Sequence, residues 1–295
     1  MKPKVIVIVG PTASGKTSLS IEIAKKFNGE IISADARQVY KGLDIGSGKV
    51  TKEEMDGVPH HLLDIADPKD VYTAADFKRD GTKAIEDIVS REKLPVIAGG
   101  TFFYIDTLLG RVSLPDVPPN PELREKLEAM PTEALYAALL QLDSRRAETI
   151  DQHNKVRLVR ALEIVEALGA VPEAPAEESY NVLTLGIDIP KETLHGNIHK
   201  RLLARIDMGM IEEVEQLHVQ GLSWERLHAL GLEYRYIAEF LQGVLTKEEM
   251  LEKLETEIRH FAKRQMTWLR QDKTIHWFHP EETDKVCEEV KKFLQ

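Results

Sequence analysis

With 295 residues, 42% hydrophobic and 30% charged, the chain can bury a large core and divide into two lobes. One cysteine, Cys287, excludes an intramolecular disulfide and any zinc module built on two or four cysteines. A formal net charge of −10 argues against nucleic acid as a partner unless Lys and Arg are locally clustered. No apolar stretch approaches the roughly 20 residues that span a bilayer, and the first apolar run is shorter than a signal-peptide core. A cytoplasmic protein is expected.

The first predicted strand is the β-branched run Val5-Ile6-Val7-Ile8-Val9. It leads directly into Gly10-Pro11-Thr12-Ala13-Ser14-Gly15-Lys16-Thr17, a complete G-x-x-x-x-G-K-S/T phosphate-binding loop. An amphipathic helix carrying Leu19, Ile23 and Phe27 follows. In that order, backbone N–H groups and the helix N-terminus form a nest for a di- or triphosphate. Lys16 neutralises its oxygens, and Thr17 is the expected Mg²⁺ ligand.

Glu30 to Ala34 reads as a second strand, delivering Asp35-Ala36-Arg37-Gln38 to the carboxyl end where ligands sit in open α/β sheets. Asp35 is either a site carboxylate or a cap in a turn. Gly42, Gly46 and Gly48 then make a stretch ending in Lys49, read as a mobile phosphate-contacting loop or as a plain connector. Thr51-x-x-Glu54 and Thr73-x-x-Asp76 are helix starts. His60 and His61, adjacent on an extended segment, point to opposite sides. Leu94 to Ala98 is a third strand, and it ends in Gly99-Gly100-Thr101 where many phosphate-loop NTPases carry a metal-holding Asp. No Asn-Lys-x-Asp element for guanine is present, which makes a GTPase switch improbable.

Pro115, Pro118, Pro119 and Pro121 mark a stiff boundary, with Asn120-Pro121 a good cap and first turn. Helical periodicity continues to Leu168, and a second Pro-containing connector runs from Pro172 to Ser179. Residues 116–180 are therefore read as a helical insertion in a core of 1–115 and 181–295. Inside it, Lys155, Arg157 and Arg160 follow Gln152; Arg157 and Arg160 share a face, on which Glu163 is the expected salt-bridge partner.

Val182 to Ile189 suits another buried parallel strand. The helix after Pro190 carries Arg201 and Arg205 four residues apart, an arrangement suited to clamping a diphosphate or an RNA backbone. Gly231 to Arg235 interrupts the helices, and Thr246-x-x-Glu249 starts the next. From Arg259 to Gln271 that helix has no acidic residue, and Arg259, Lys263 and Arg270 lie close together on the helix wheel. Such a tract in an acidic protein points to a polyanion. Thr274 to Phe278 is read as a last strand and Glu281 to Leu294 as a polar helix. The fold expected is α/β, a phosphate-loop parallel sheet flanked by helices, with an inserted all-helical domain.

GPTASGKT at Gly10, DARQVY at Asp35, GSGK at Gly46, PHHLLDI at Pro59, GGTFFY at Gly99, the Asp151 to Glu163 helix and RHFAKRQMTWLR at Arg259 together resemble the tRNA dimethylallyltransferase family, from the N-terminus to about Arg270. The resemblance implies transfer of the dimethylallyl group of dimethylallyl diphosphate to N6 of the adenine 3′ of the anticodon. It assigns Asp35 as the base, Lys16, Thr17 with Mg²⁺, and Arg201 or Arg205 to the leaving diphosphate, and Thr101 to the adenine. The anticodon arm would meet Asp35, Ala36, Arg37, Gln38, Thr101, Gln152, Arg157, Arg160, Arg259, Lys263 and Arg270. The chain departs from the family's usual residues at Ala36, Ser47, Gly48, Leu232, Glu233, Ile258 and His260, which bears on fine positioning. A monomer is expected, since no large apolar stripe is left over. Three rivals stand beside this reading: a free-adenylate isopentenyltransferase, a small-molecule phosphate-loop kinase, and a nucleotide-gated RNA-binding protein without chemistry.

Overall fold

Strand β1 (Lys4–Val9) is apolar on both faces, as a strand covered from both sides must be. In the computed structural model, which describes residues 2–173 and 178–295, Val5, Val7 and Val9 enter one core while Ile6 and Ile8 enter another. The chain continues through α1 (Lys16–Lys26), β2 (Gly29–Ala34), α2 (Lys52–Met55), β3 (His60–His61), α3 (Ala74–Ser90), β4 (Leu94–Gly99) and α4 (Phe102–Leu109). After the insertion come β5 (Asn181–Ile187), α9 (Lys191–Asp207), α10 (Met210–Val219), α11 (Trp224–Leu230), α12 (Leu232–Leu241), α13 (Lys247–Leu269), β6 (His276–Phe278) and α14 (Thr283–Leu294).

Among the described residues six strands form one sheet in the order β3-β2-β4-β1-β5-β6, and every pairing is parallel. Helices α3 and α4 cover one face through Phe77, Ile85, Ile88 and Leu108. The other is covered by α1 and α14 through Ile23, Ala24, Val286 and Val290. The α/β architecture read from the strand–loop–helix pattern is the one observed. A third core gathers α9 to α13 around Leu43, Met210, Tyr234 and Leu254.

Local signals in the sequence act where they stand. Thr51, Thr73 and Thr246 each close a reciprocal capping box with the acidic residue three positions on. Gly231 lies between α11 and α12, with φ of 74°. The order of strands places the carboxyl ends of β1, β4 and β2 side by side. At the end of β4, a Cβ on Gly99 would lie 2.1 Å from the Ala34 carbonyl oxygen, so only glycine lets these two strand ends close together.

The chain divides into two compact units, Met1–Leu109 with Ser179–Gln295, and Gly110–Glu178. The second contains α5 (Pro121–Glu128), α6 (Thr132–Leu142), α7 (Ser144–Thr149) and α8 (Lys155–Leu168), packed around Leu135, Leu139, Leu158 and Leu162. Asn120 caps α5 through the Leu123 N–H, with Pro121 in the first turn. Part of the expected connector from Pro172 to Ser179, residues 174–177, lies outside the described residues.

Candidate functional site

The phosphate loop begins at the end of β1, and Gly15, in the left-handed region with φ of 96°, opens α1. Thr12 to Thr17 line a cavity of about 1170 Å³, together with Asp35 and Gln38 from beyond the end of β2, Gly99 at the end of β4 and Gly100 just after it, Asn197, Lys200 and Arg201 from α9, and Gln265 from α13. Residues read separately along the sequence as phosphate-binding and as acid–base thus share one enclosure.

Within the loop, Lys16 Nζ donates to the carbonyls of Gly10 (3.0 Å) and Pro11 (2.7 Å). Removal from water lowers the pKa of this ammonium to about 7; the positive charge of Arg201 adds to the shift and Asp35 opposes it. The buried hydroxyl Oγ of Ser14 has no hydrogen-bond partner. Unpartnered polar atoms and a partly neutral lysine are features of a surface shaped to receive a polar ligand.

Asp35 Oδ1 accepts the N–H groups of Arg37 (2.8 Å) and Gln38 (3.3 Å), the geometry of the turn reading, and the residue also lines the cavity. Thr101 is bonded into the turn that carries Asp35. Its Oγ1 accepts the Ala36 N–H at 2.9 Å, and its own N–H reaches the Ala34 carbonyl. Thr101 is not among the residues lining the cavity; it braces the turn that carries Asp35. Gln38 links Ser33 Oγ (3.1 Å) to the Gly48 carbonyl (3.2 Å), and Arg37 donates to the Ala36 carbonyl.

The two arginines on α9 separate. Arg201 lines the cavity and donates to the Gly48 carbonyl at 3.2 Å. Arg205 is held by Glu233 (2.7 Å) and the Gly46 carbonyl (2.8 Å), and lies outside the cavity lining. Two of the family departures are explained here: Glu233 is the partner of Arg205, and a Cβ on Gly48 would lie 2.2 Å from Arg201 Nη2. Ser47 Oγ donates to the Leu43 carbonyl at 2.6 Å, Ile258 is buried in the third core and His260 Nδ1 lies 3.2 Å from Glu257, whereas nothing in the structure explains Ala36 or Leu232.

The segment Gly42 to Lys49, read as a mobile phosphate-contacting loop or as a plain connector, is clamped by hydrogen bonds, and its Ser47 and Gly48 line the cavity. Glu213 accepts the N–H groups of Asp44 (3.0 Å), Ile45 (2.6 Å) and Gly46 (3.0 Å), and Lys49 Nζ is held by Asp44, Asp64 and the Tyr40 carbonyl.

The acid-free tract divides in the same way. Arg259 pairs with Glu255 one turn earlier, and Arg270 with Asp188 (3.2 Å) and the Trp277 ring. Lys263 is exposed with no ion pair among the described residues, next to exposed Arg264 and Trp268. In the unit Gly110–Glu178, Arg160 is bound to Glu163 and the Val117 carbonyl (2.8 Å), whereas Gln152 and Arg157 are exposed. Glu163 is no solvated partner: it is 2% exposed. Burial alone would raise its carboxyl, but hydrogen bonds from Arg124, the Asn120 N–H and Arg160 outweigh that and hold it at about 2.

Sequence reasoning missed Gln265 and Asn197, the latter reaching the Ala13 carbonyl at 3.3 Å. Gln265 carried a signal: it is a polar residue on the apolar stripe of α13. Among the described residues no group of three His, Cys, Asp or Glu could hold a metal. The donor set still suits Mg²⁺, which keeps several waters and takes substrate phosphate oxygens beside one or two protein ligands. Thr17, exposed in the cavity, is the hydroxyl placed to serve.

A model described as IPP transferase matches residues 38–272. A tRNA dimethylallyltransferase of Anoxybacillus flavithermus is 42% identical over 284 residues, covering 94% of this chain and 91% of its own length. Another, from Treponema denticola, is 46% identical over 271 residues, covering 90% and 91%. The crystal structure of a full-length tRNA isopentenylpyrophosphate transferase from Bacillus halodurans matches with a TM-score of 0.74 at 35% identity, over 100% of this chain and 96% of that one. A eukaryotic dimethylallyltransferase acting on tRNA matches with a TM-score of 0.84 at 26% identity, over 99% of this chain and 79% of that one.

Proposed function

This chain belongs to the IPP transferase family, and from that premise we propose that it transfers the dimethylallyl group of dimethylallyl diphosphate to N6 of the adenine 3′ of the anticodon, releasing diphosphate. The observation that carries the reading is a single cavity in which the phosphate loop and the Asp35 carboxylate, from the ends of β1 and β2 on either side of β4, face common space.

An allylic diphosphate ionises when charge growing on the leaving group is stabilised. The loop amides, Lys16 and Arg201 supply that stabilisation, Arg201 being the arginine of α9 that reaches the cavity. Thr17 would hold Mg²⁺, which would neutralise further charge on the diphosphate. The carbon–oxygen bond to diphosphate breaks as the bond from N6 to the allylic carbon forms. The exocyclic amine is a weak nucleophile and gives up a proton in the process. Asp35 receives it through the oxygen its turn leaves unused, while Thr101 holds that turn in place.

The adenine must leave its stack to enter such a cavity. Lys263, Arg264 and Trp268 on α13 offer charge and a stacking surface for RNA, and Arg157 and Gln152 extend the same role to the helical unit. Arg160 and Arg259 act there as scaffolding for these contacts. No helix among the described residues is long and apolar enough to cross a membrane, in keeping with a cytoplasmic site of action.

The assay combines the protein, dimethylallyl diphosphate, Mg²⁺ and unmodified tRNA without ATP, and reads dimethylallyl adenine in the RNA. Product is expected at the adenine 3′ of the anticodon. Prenylation of free AMP alone, ATP-dependent phosphorylation, or RNA binding without product would each replace this reading with one of its three rivals.

A further inference from the structure

Helix α13 turns Ile258, Ala262, Gln265 and Leu269 inward, with exposures of 5%, 2%, 4% and 4%. Their spacing of four, three and four residues is an apolar stripe, and Gln265 is the polar residue in it. A buried amide costs stability unless both of its ends are hydrogen-bonded. Both are. Oε1 accepts the Thr12 N–H at 2.8 Å, and Nε2 donates to the Gly100 carbonyl at 3.1 Å.

Those two groups belong to the two halves of the reacting centre. Thr12 lies in the first half of the phosphate loop. Gly100 precedes Thr101, which accepts the Ala36 N–H beside Asp35. The fit to Gly100 is close: a Cβ there would lie 2.7 Å from Gln265 Nε2. One side chain therefore connects the diphosphate cradle to the edge carrying the carboxylate, bridging segments more than 150 residues away in the chain.

We propose that Gln265 is a positioning residue that fixes the separation between the phosphate loop and the Asp35–Thr101 edge. Transfer between a donor anchored at one and an amine held at the other depends on that separation. A misplacement of about 1 Å can lower the rate by about a hundredfold. The role rests on the proposed reaction.

Two variants test it. Gln265→Met keeps the volume of the stripe and removes both hydrogen bonds. It should lower kcat by about ten- to a hundredfold while leaving KM for tRNA close to that of the parent. Gln265→Glu is nearly isosteric: ionised, it accepts from Thr12 but cannot donate to Gly100, and protonated it can do both. Its rate relative to the parent at the same pH should rise as pH falls from about 8 to about 6, because burial raises a carboxyl pKa into that range. Comparison at equal pH cancels the titration of groups common to both proteins, Lys16 among them. A purely structural role gives no such recovery. A kcat for Gln265→Met within about twofold of the parent, against the loss expected from misplacement, would overturn the proposal, as would a pH-independent deficit in Gln265→Glu. Calorimetry with inorganic pyrophosphate alone keeps the two readings apart. If the parent prenylates no tRNA, the proposed function fails, and weaker pyrophosphate binding by Gln265→Met still upholds the tie between loop and helix; unchanged binding rejects it.

Discussion

Two loops of this chain carry glycine, serine and lysine, and they are built in opposite ways. In the segment Gly42 to Lys49, Glu213 takes three successive N–H groups, Arg205 and Arg201 take carbonyls, and Lys49 sits between two carboxylates. In the segment Gly10 to Thr17, a buried hydroxyl is left without a partner, and Lys16 has only the loop's own carbonyls to donate to. The first has its polar groups satisfied within the fold, so it serves as a wall. The second keeps binding capacity in reserve, and that reserve marks the site.

The largest effect that sharpens this contrast concerns the aspartates beside each loop. Asp35 borders the unsatisfied loop, and Asp64 holds Lys49 in the satisfied one. Asp35→Ala should lower turnover by about 10²- to 10⁴-fold, the range of a lost general base, with tRNA affinity nearly unchanged. Asp64→Ala should leave turnover near that of the parent. Single-turnover prenylation with a tRNA filter-binding titration checks both. Full activity in Asp35→Ala would place the base elsewhere and end the distinction between the two loops.

A second, smaller effect lies in stability. In Glu213→Ala the N–H groups of Asp44, Ile45 and Gly46 and the Tyr234 hydroxyl lose one shared acceptor. Hydrogen bonds to charged groups suggest a loss of about 2–4 kcal/mol, less where water can replace the carboxylate. Urea unfolding reads it as a lower midpoint at unchanged slope. Ser14→Ala, by contrast, removes a hydroxyl that has no partner within the fold and should leave the midpoint close to that of the parent. A Glu213→Ala midpoint equal to the parent's would show the clamp to be decorative.

How far this contrast can be read from sequence depends on where the partners lie. The phosphate loop, its strand and its helix are contiguous, as are the three Thr capping boxes and Asn120-Pro121, and all are legible. Asp35 was legible as a turn residue near the site because its partners are Arg37 and Gln38. The clamped loop was not, since Glu213, Arg205 and Arg201 lie more than 150 residues further on. For the same reason Arg201 and Arg205, on one face at a spacing of four, cannot be told apart without Glu233. Arg160 and Glu163 were paired correctly by spacing, but the burial of Glu163 comes from Arg124 and the Asn120 N–H, which spacing does not show.

The smallest effect is carried by Lys16. Its ammonium titrates at about 7 in the free protein because it is withdrawn from water, with Arg201 adding to the shift and Asp35 opposing it. A bound diphosphate places negative charge against it and raises that pKa, so the protonated form binds better. Below about pH 7 the proton is already present and binding takes up none. Above that value the free protein has lost it and the complex holds it, so binding takes up close to one proton and affinity falls by up to about tenfold per pH unit. Calorimetry with pyrophosphate in buffers of different ionisation enthalpy measures the uptake near pH 8. Lys16→Met corrects for titration of the ligand itself, since it keeps the ligand and lacks the ammonium. Equal proton uptake by the two proteins would mean that Lys16 is charged before ligand arrives, and its place in the reserve of the phosphate loop would pass to the backbone amides alone.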